Sequence, residues 1–327
     1  MSDKIVDLVV IGGSAGSFTA LKTLLADLPE DLGAAVVVCQ HLSSFGDSRS
    51  AELLARFATL PLVDAEERMA LEPGKIVFAV PDLHIMVGNG HVHLRRGAHE
   101  NNFRPAIDPL FRSAAVYGGP RAIGVVLSGM MDDGAAGARA IDRTGGAVLV
   151  QSPDTADCDS MPWATLDAVH SAIPVPLDDL GAAIAERVGK PCGPAVDIPW
   201  DIGIELKIAG LEGATMENEH KLGELTPYNC PHCNGVLWEI EDGPIRRYRC
   251  HTGHAYTMEA LSESQEKALD ESLFNALRAH RGRASLIRQM ATSTRNDDNR
   301  RRLEMRAIKY EEDADNLARM IKQRKSE

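Results

Sequence analysis

The sequence predicts an α/β fold: a mostly parallel sheet with helices on both faces and one antiparallel hairpin, then a small metal-binding segment and a C-terminal helical hairpin. Three observations carry this expectation. Strand-length apolar runs alternate with amphipathic stretches through residue 190; cysteines and histidines crowd into residues 226–258; and no proline follows that segment, where apolar residues recur at helical spacing.

Leu8–Ile11, Ala34–Cys39, Lys75–Val80, Ala122–Leu127 and Ala147–Val150 read as strands. Their apolarity is continuous rather than alternating, as expected of parallel strands buried on both faces. Phe18–Asp27, Ser50–Thr59, Pro109–Tyr117 and Gly137–Arg143 read as the helices between them. His84–Leu94 turns at Gly88-Asn89-Gly90 and is expected to form the hairpin. Prolines 191, 194 and 199 and an acidic stretch, Glu212–Glu224, predict a linker over 191–225. The domain boundaries expected are therefore 1–190, 191–225, 226–258 and 259–327. In the last of these, Leu303, Ala307, Tyr310, Ala314, Leu317 and Ile321 make a heptad-like seam, with the hairpin turn near Ser293–Asn299.

The 327 residues are 44% hydrophobic and 25% charged, the balance of a folded globular chain. A net charge of -12 repels phosphate backbones and anionic headgroups, so nucleic acid is not expected as a partner. No apolar run reaches the roughly 20 residues that span a bilayer, and the start lacks the pattern of a signal peptide. The expectation is a cytoplasmic protein without membrane insertion.

Strand one runs into Gly12-Gly13-Ser14-Ala15-Gly16, a G-x-S-x-G turn that exposes the Ser14 hydroxyl and offers backbone N–H groups at a helix start. Strand two ends at Gln40-His41, and a later strand ends in Ser128-Gly129-Met130-Met131-Asp132-Asp133-Gly134. In a parallel sheet these strand ends share one edge, where a serine, a histidine and an aspartate can meet as nucleophile, base and orienting acid. Spacing alone leaves Asp132 and Asp133 as rivals for the third role. A dinucleotide site is disfavoured, because Ser14 stands where G-x-G-x-x-G needs its second glycine and strand two lacks a terminal acid.

Ile-Gly-Gly-Ser14-Ala-Gly, Gln40-His41-Leu, Arg104-Pro-Ala-Ile-Asp108-Pro, Ser128-Gly-Met130-Met-Asp-Asp133-Gly and Ser160-Met-Pro occur in one order. In this, residues 5–190 resemble the catalytic domain of the chemotaxis protein-glutamate methylesterases, the CheB family. The resemblance implies a doubly wound domain that hydrolyses glutamate methyl esters on helical chemoreceptors, with a second activity as a glutamine deamidase and no catalytic cofactor. It implies Ser14 as nucleophile, His41 as general base and Asp133, the aspartate before glycine, as orienting acid. Backbone N–H groups of Ala15 and Met130 are implied as oxyanion donors. Arg104 is a candidate substrate contact, weighed against plain pairing with a carboxylate, and Asp108-Pro109 reads as a helix N-cap. The resemblance also leads one to expect a receiver domain before strand one. The sequence shows none there, so the activity is expected to be constitutive, or controlled by a separate regulator or by the C-terminal region.

Cys230-Pro-His-Cys233 followed by Cys250-His251-Thr-Gly-His254 has zinc-ribbon spacing. Cys230, Cys233, Cys250 and His254 are the expected ligands of a structural zinc, with His251 and His232 as rivals for the fourth place. Ten Lys and Arg against three acids between Arg278 and Lys309 read as a solvated helix face, with docking to an acidic partner as the functional alternative, and the seam suits an internal hairpin or self-association. The competing reading is a regulatory scaffold acting through the metal segment and hairpin, with the hydrolase fold inactive.

Overall fold

Alternate residues of the first strand serve opposite layers, and that alternation organises the molecule. The computed structural model describes residues 5–42, 49–210 and 223–324. Its first nine strands are β1 (Leu8–Gly13), β2 (Ala35–Gln40), β3 (Leu62–Asp64), β4 (Ile76–Phe78), β5 (His84–Gly88), β6 (His91–Arg95), β7 (Ala122–Val126), β8 (Ala147–Gln151) and β9 (Ile173–Val175). All but β5 and β6 join a seven-stranded sheet in the order β3-β4-β2-β1-β7-β8-β9. Every neighbouring pair is parallel. β5 and β6 pair antiparallel as the expected hairpin.

Val9 and Ile11 of β1 pack with α1 (Ser17–Asp27), α2 (Ser50–Leu54) and a later helix on one face. Leu8 and Val10 pack with α3 (Ile107–Gly118), α4 (Ala135–Arg143) and α5 (Ser160–Ala168) on the other. The later helix on the first face is α6 (Leu180–Arg187), through Leu180 and Ile184. Each such fully buried aliphatic side chain contributes about 1.5–3 kcal/mol, which is why continuous apolar strands select a two-faced sheet. β3, β9, α5 and α6 were not singled out; both strands are three-residue edge pieces, too short to stand out as apolar runs. The helix expected over Ser50–Thr59 stops at Leu54, because the Thr59 N–H and hydroxyl turn back onto the Leu25 and Leu28 carbonyls.

The stretch expected as linker carries a helix, α7 (Trp200–Ala209). It forms because Ile202, Ile208 and Ala209 are buried and because Glu205, 1% exposed, meets guanidinium groups. Residues 211–222, most of the acidic stretch, lie outside the described residues. A four-stranded antiparallel sheet follows: β10 (Glu224–Asn229), β11 (Val236–Asp242), β12 (Ile245–Cys250) and β13 (Ala255–Thr257). Glu205 receives Arg247 at 2.6 and 2.5 Å and Arg249 at 3.0 Å, both from β12. Arg249 also reaches Glu100 at 3.2 Å, and Glu100 pairs with Arg112 of α3. Burial pushes the Glu205 carboxyl up, but Arg247 and Arg112 overcome it and hold the group well below the usual range.

Residues 1–261 form one compact unit and 262–327 a second. α8 (Met258–Ser293) begins at the end of the first unit; within the C-terminal unit its remainder and α9 (Asp297–Arg324) run antiparallel around Ile287, Ala291, Leu303 and Ala307. Arg288 and Glu311 pair across them at 2.7 and 2.6 Å; in water such exposed pairs contribute little. No described helix is long and apolar enough to cross a membrane.

Candidate active site

Register explains how three distant side chains meet. Gly13 lies beside Gln40 across β1 and β2, and Gly12 beside Val126 across β1 and β7, so the next residues of all three strands emerge together. β1 is also where the strand order reverses, the place at which open α/β sheets form their crevice. The Ser14 N–H donates to the Ser128 carbonyl at 3.0 Å and the His41 N–H to the Gly13 carbonyl at 3.1 Å, lashing the three ends together.

The turn after β1 depends on glycine twice. Gly16 has φ 76°, and a Cβ there would stand 2.6 Å from Asp157 and 2.7 Å from the Ser128 hydroxyl. Gly129 is pressed between Met161 and the Ser14 Cβ. The Ser128 hydroxyl donates to the Ala15 carbonyl at 2.8 Å, completing a rigid mount for Ser14. Among the described residues, the Ala15 and Met130 N–H groups donate to no protein acceptor. Met130 is 61% exposed.

His41 Nδ1 lies 2.9 Å from Ser14 Oγ, and its Nε2 lies 2.7 Å from Asp133 Oδ2. An ionised carboxylate only accepts, so Nε2 carries the proton and Nδ1 presents its lone pair to the hydroxyl. The Asp133 carboxylate accepts three further hydrogen bonds: from Ile107 N–H at 2.7 Å, Asn101 Nδ2 at 2.8 Å and Asp108 N–H at 3.3 Å. Burial pushes its pKa up, but the hydrogen bond and charge of His41, with the Ile107 and Asn101 donors, bring it below the usual carboxylate value. Asp132, the rival, points elsewhere and accepts from the Thr257 hydroxyl at 2.7 Å. Burial pushes Asp132 up to about 6 against the pull of that hydroxyl.

Asp108 is not the N-cap of its own helix, since α3 begins at Ile107 after an extended Ala106. Its carboxylate instead accepts from Gly134 at 3.1 Å and Gly137 at 2.7 Å, satisfying orphan donors at the start of α4. Burial, with the charge of Asp133 second, pushes Asp108 up to about 7. Arg104 gives Asp82 two donors, at 2.5 and 2.9 Å, and the Gly97 carbonyl a third at 2.6 Å.

Two residues at the site went unnoticed in the sequence. The Phe103 ring stacks on the His41 imidazole, with centroids 3.6 Å apart and planes 11° apart. Asn101 donates to Asp133 at 2.8 Å, and its neighbours Glu100 and Phe103 exchange backbone hydrogen bonds across the loop before Arg104. The Asn101-Asn102 pair was the available signal, because both have positive φ, 49° and 71°, which asparagine tolerates better than most residues.

Cys230, Cys233, Cys250 and His254 place their ligand atoms within 4.8 Å of one another. Cys233 Sγ is 3.6 Å from Cys250 Sγ, and His254 Nδ1 is 3.4 Å from Cys250 Sγ and 3.7 Å from Cys230 Sγ. Tetrahedral zinc with bonds near 2.3 Å to sulfur separates its ligands by about 3.7 Å, so the donor set fits that ion. His232 turns aside to the Tyr256 hydroxyl, at 2.8 Å.

The profile of the family described as CheB methylesterase matches residues 9–184. A protein-glutamate methylesterase/protein-glutamine glutaminase of a Nocardioides species is 38% identical over 187 residues, covering 56% of this chain and 51% of that protein. A second, from Caulobacter vibrioides, is 33% identical over 187 residues, covering 56% and 54%. The chain thus spans about half the length of these two relatives. The crystal structure of the Thermotoga maritima CheB methylesterase catalytic domain superposes with a TM-score of 0.52 at 29% identity, covering 56% of this chain and 98% of that one.

Proposed function

The chain belongs to the CheB methylesterase family, and from that premise we propose that it hydrolyses glutamate methyl esters on a helical chemoreceptor-type protein. The observation that carries the proposal is the continuous hydrogen-bond line from Ser14 Oγ through His41 to Asp133, at 2.9 and 2.7 Å. Ser14 Oγ attacks the ester carbonyl as its proton passes to His41 Nδ1. Asp133 keeps the ring in the tautomer that can receive it and stabilises the imidazolium. The Ala15 and Met130 N–H groups, free of protein acceptors among the described residues, suit the tetrahedral oxyanion. The imidazolium returns the proton to the departing methoxide, methanol leaves, and water activated by His41 releases glutamate and regenerates Ser14. A glutamine side chain follows the same route with ammonia leaving, which is the deamidase activity. Asp132 and Arg104 have no assigned contact with the ester.

The chemistry needs no metal. Cys230, Cys233, Cys250 and His254 would hold a structural zinc, which when bound supplies closure of four ligands rather than an open catalytic position. Residues 1–190 would be the hydrolase layer and 226–258 its ribbon. The paired helices beyond would recruit the protein substrate, a separate regulator or a second copy of the chain.

Methanol release from a methylated receptor fragment tests the proposal. Wild-type protein should release it, and Ser14→Ala should not while remaining folded. A folded Ser14→Ala protein that keeps most of the activity overturns the assignment.

A further inference from the structure

The C-terminal antiparallel sheet does more than sit beside the hydrolase layer, because one of its strands grips the residue that grips Asp133. Asn101 is 4% exposed, and its backbone N–H and both ends of its side-chain amide are committed. Its backbone N–H donates to the Ala255 carbonyl at 2.8 Å. Its side-chain Oδ1 accepts from the Thr257 N–H at 3.0 Å, leaving Nδ2 to face Asp133 Oδ1 at 2.8 Å and Asp108 Oδ2 at 3.1 Å. An amide has two orientations, and here the choice is forced. The Thr257 N–H can only donate, so it must meet the oxygen, and the nitrogen must then meet the carboxylates. A reversed amide would set two donors against each other on one side and oxygen against two carboxylates on the other. Thr257 is itself pinned, with its hydroxyl donating to Asp132 at 2.7 Å and accepting from Ala260 N–H at 3.2 Å.

We propose that Asn101 is a positioning residue for the triad, its amide set by strand β13, so that the C-terminal sheet is part of the catalytic unit. Asn101 touches no reacting atom. It acts through Asp133, which it holds ionised and aligned on His41 Nε2. The inference rests on the Ser14-His41-Asp133 reading of the site.

The test uses the full chain with two variants that separate the two ends of the amide. Asn101→Ala removes both the acceptor for Thr257 and the donor to Asp133. Asn101→Asp keeps an acceptor for Thr257 and loses the donor. Loss of one hydrogen bond to a charged group predicts that kcat falls about tenfold or more in both, with KM changed less than about threefold. Amide exchange at Thr257, followed by NMR, should speed up in Asn101→Ala and stay slow in Asn101→Asp. The His41 Nε2 proton resonance should move in both. A purely structural Asn101 would alter melting without these site-specific signatures. If Asn101→Asp keeps kcat within about twofold of wild type, the positioning role is overturned. If Thr257 exchanges alike in both variants, or is already unprotected in wild type, the grip by β13 is overturned. Should Asn101→Ala fail to fold, Asn101→Asp and wild-type exchange still decide both points. Failure of the underlying reading is distinct: Ser14→Ala would then retain turnover, and the exchange data would bear on the Asn101–Thr257 link alone.

Discussion

Replacing Asp133 by asparagine changes one atom and should separate the two neighbouring aspartates by orders of magnitude in turnover. Four donors converge on the Asp133 carboxylate: His41 Nε2 and Ile107 N–H on Oδ2, Asn101 Nδ2 and Asp108 N–H on Oδ1. An amide has one oxygen, so either orientation sets its NH2 against two donors. With NH2 toward His41, Nε2 must accept, the ring proton moves to Nδ1, and Ser14 faces a donor instead of a base. With NH2 toward Asn101, the tautomer survives but the imidazolium loses its counter-charge, and two buried donors lose their acceptor. The first orientation predicts a fall in kcat of about 10⁴-fold, or about 5.5 kcal/mol. Either should lower folding stability by about 2–4 kcal/mol. Asp132→Asn keeps an oxygen for the Thr257 hydroxyl, at 2.7 Å in the wild type, and should leave kcat within about threefold. Methanol release under saturating methylated fragment measures the rates, and labelling of Ser14 by a phosphonate ester checks the nucleophile independently. Comparable losses in the two variants, or a folded Asp133→Asn protein within tenfold of wild type, would refute the reasoning.

Ser14→Ala should abolish ester hydrolysis and leave the melting temperature nearly unchanged, as read by calorimetry, because the hydroxyl's one described partner is His41. Elemental analysis should find about one zinc per chain, lost with a fall in melting temperature in Cys230→Ser or Cys250→Ser; a metal-free wild-type protein would contradict this. Asp132 is raised to about 6 when folded, so it binds more protons there than in the unfolded chain, and its contribution to stability is lost as pH rises from about 4 through 6. Asp132→Asn should therefore gain on the order of 3 kcal/mol relative to wild type above pH 6 and nothing below pH 4, measured by urea unfolding. Ending the chain after Leu261 should spare turnover of a small ester and weaken action on an acidic helical substrate, most at low salt; equal rates for both chains on both substrates would remove the recruiting role of the paired helices.

What the sequence disclosed and what it withheld follow from the range of the interactions involved. The strands of the parallel sheet were legible because double-sided burial writes itself as local apolar runs, as in Leu8–Ile11 and Ala34–Cys39. The turn at Ser14 was legible because a sharp strand-to-helix turn demands small neighbours. The third carboxylate was not decided by spacing, since Asp132 and Asp133 are adjacent and only the tertiary positions of His41 and Thr257 distinguish them. α7 was missed because prolines 191, 194 and 199 dominate the local signal, while its reason for folding, Glu205, is satisfied by arginines about forty residues later. Asn101 and Phe103 act through contacts with residues far along the chain, which no window of sequence contains.

The same long-range ion pairs join the second sheet to the hydrolase layer. Arg112, Arg247 and Arg249 meet Glu100, Glu205 and Asp242 with all six side chains at most 6% exposed. Desolvating them costs several kcal/mol per ion, so the cluster is a poor source of net stability compared with an apolar core. Its effect is on selectivity: removing any one partner strands a buried charge, at about 3–5 kcal/mol, so alternative packings of the second sheet are heavily penalised. Glu100 belongs to the same loop as Asn101 and Phe103, and Arg249 lies on β12, which pairs with β13 from Arg249 opposite Ala255 to Arg247 opposite Thr257. The cluster therefore holds the loop and the strand in the register that the amide of Asn101 requires. These pairs and the Asn101 amide together join β12 and β13 to the loop that meets the Ser14–His41–Asp133 hydrogen-bond line.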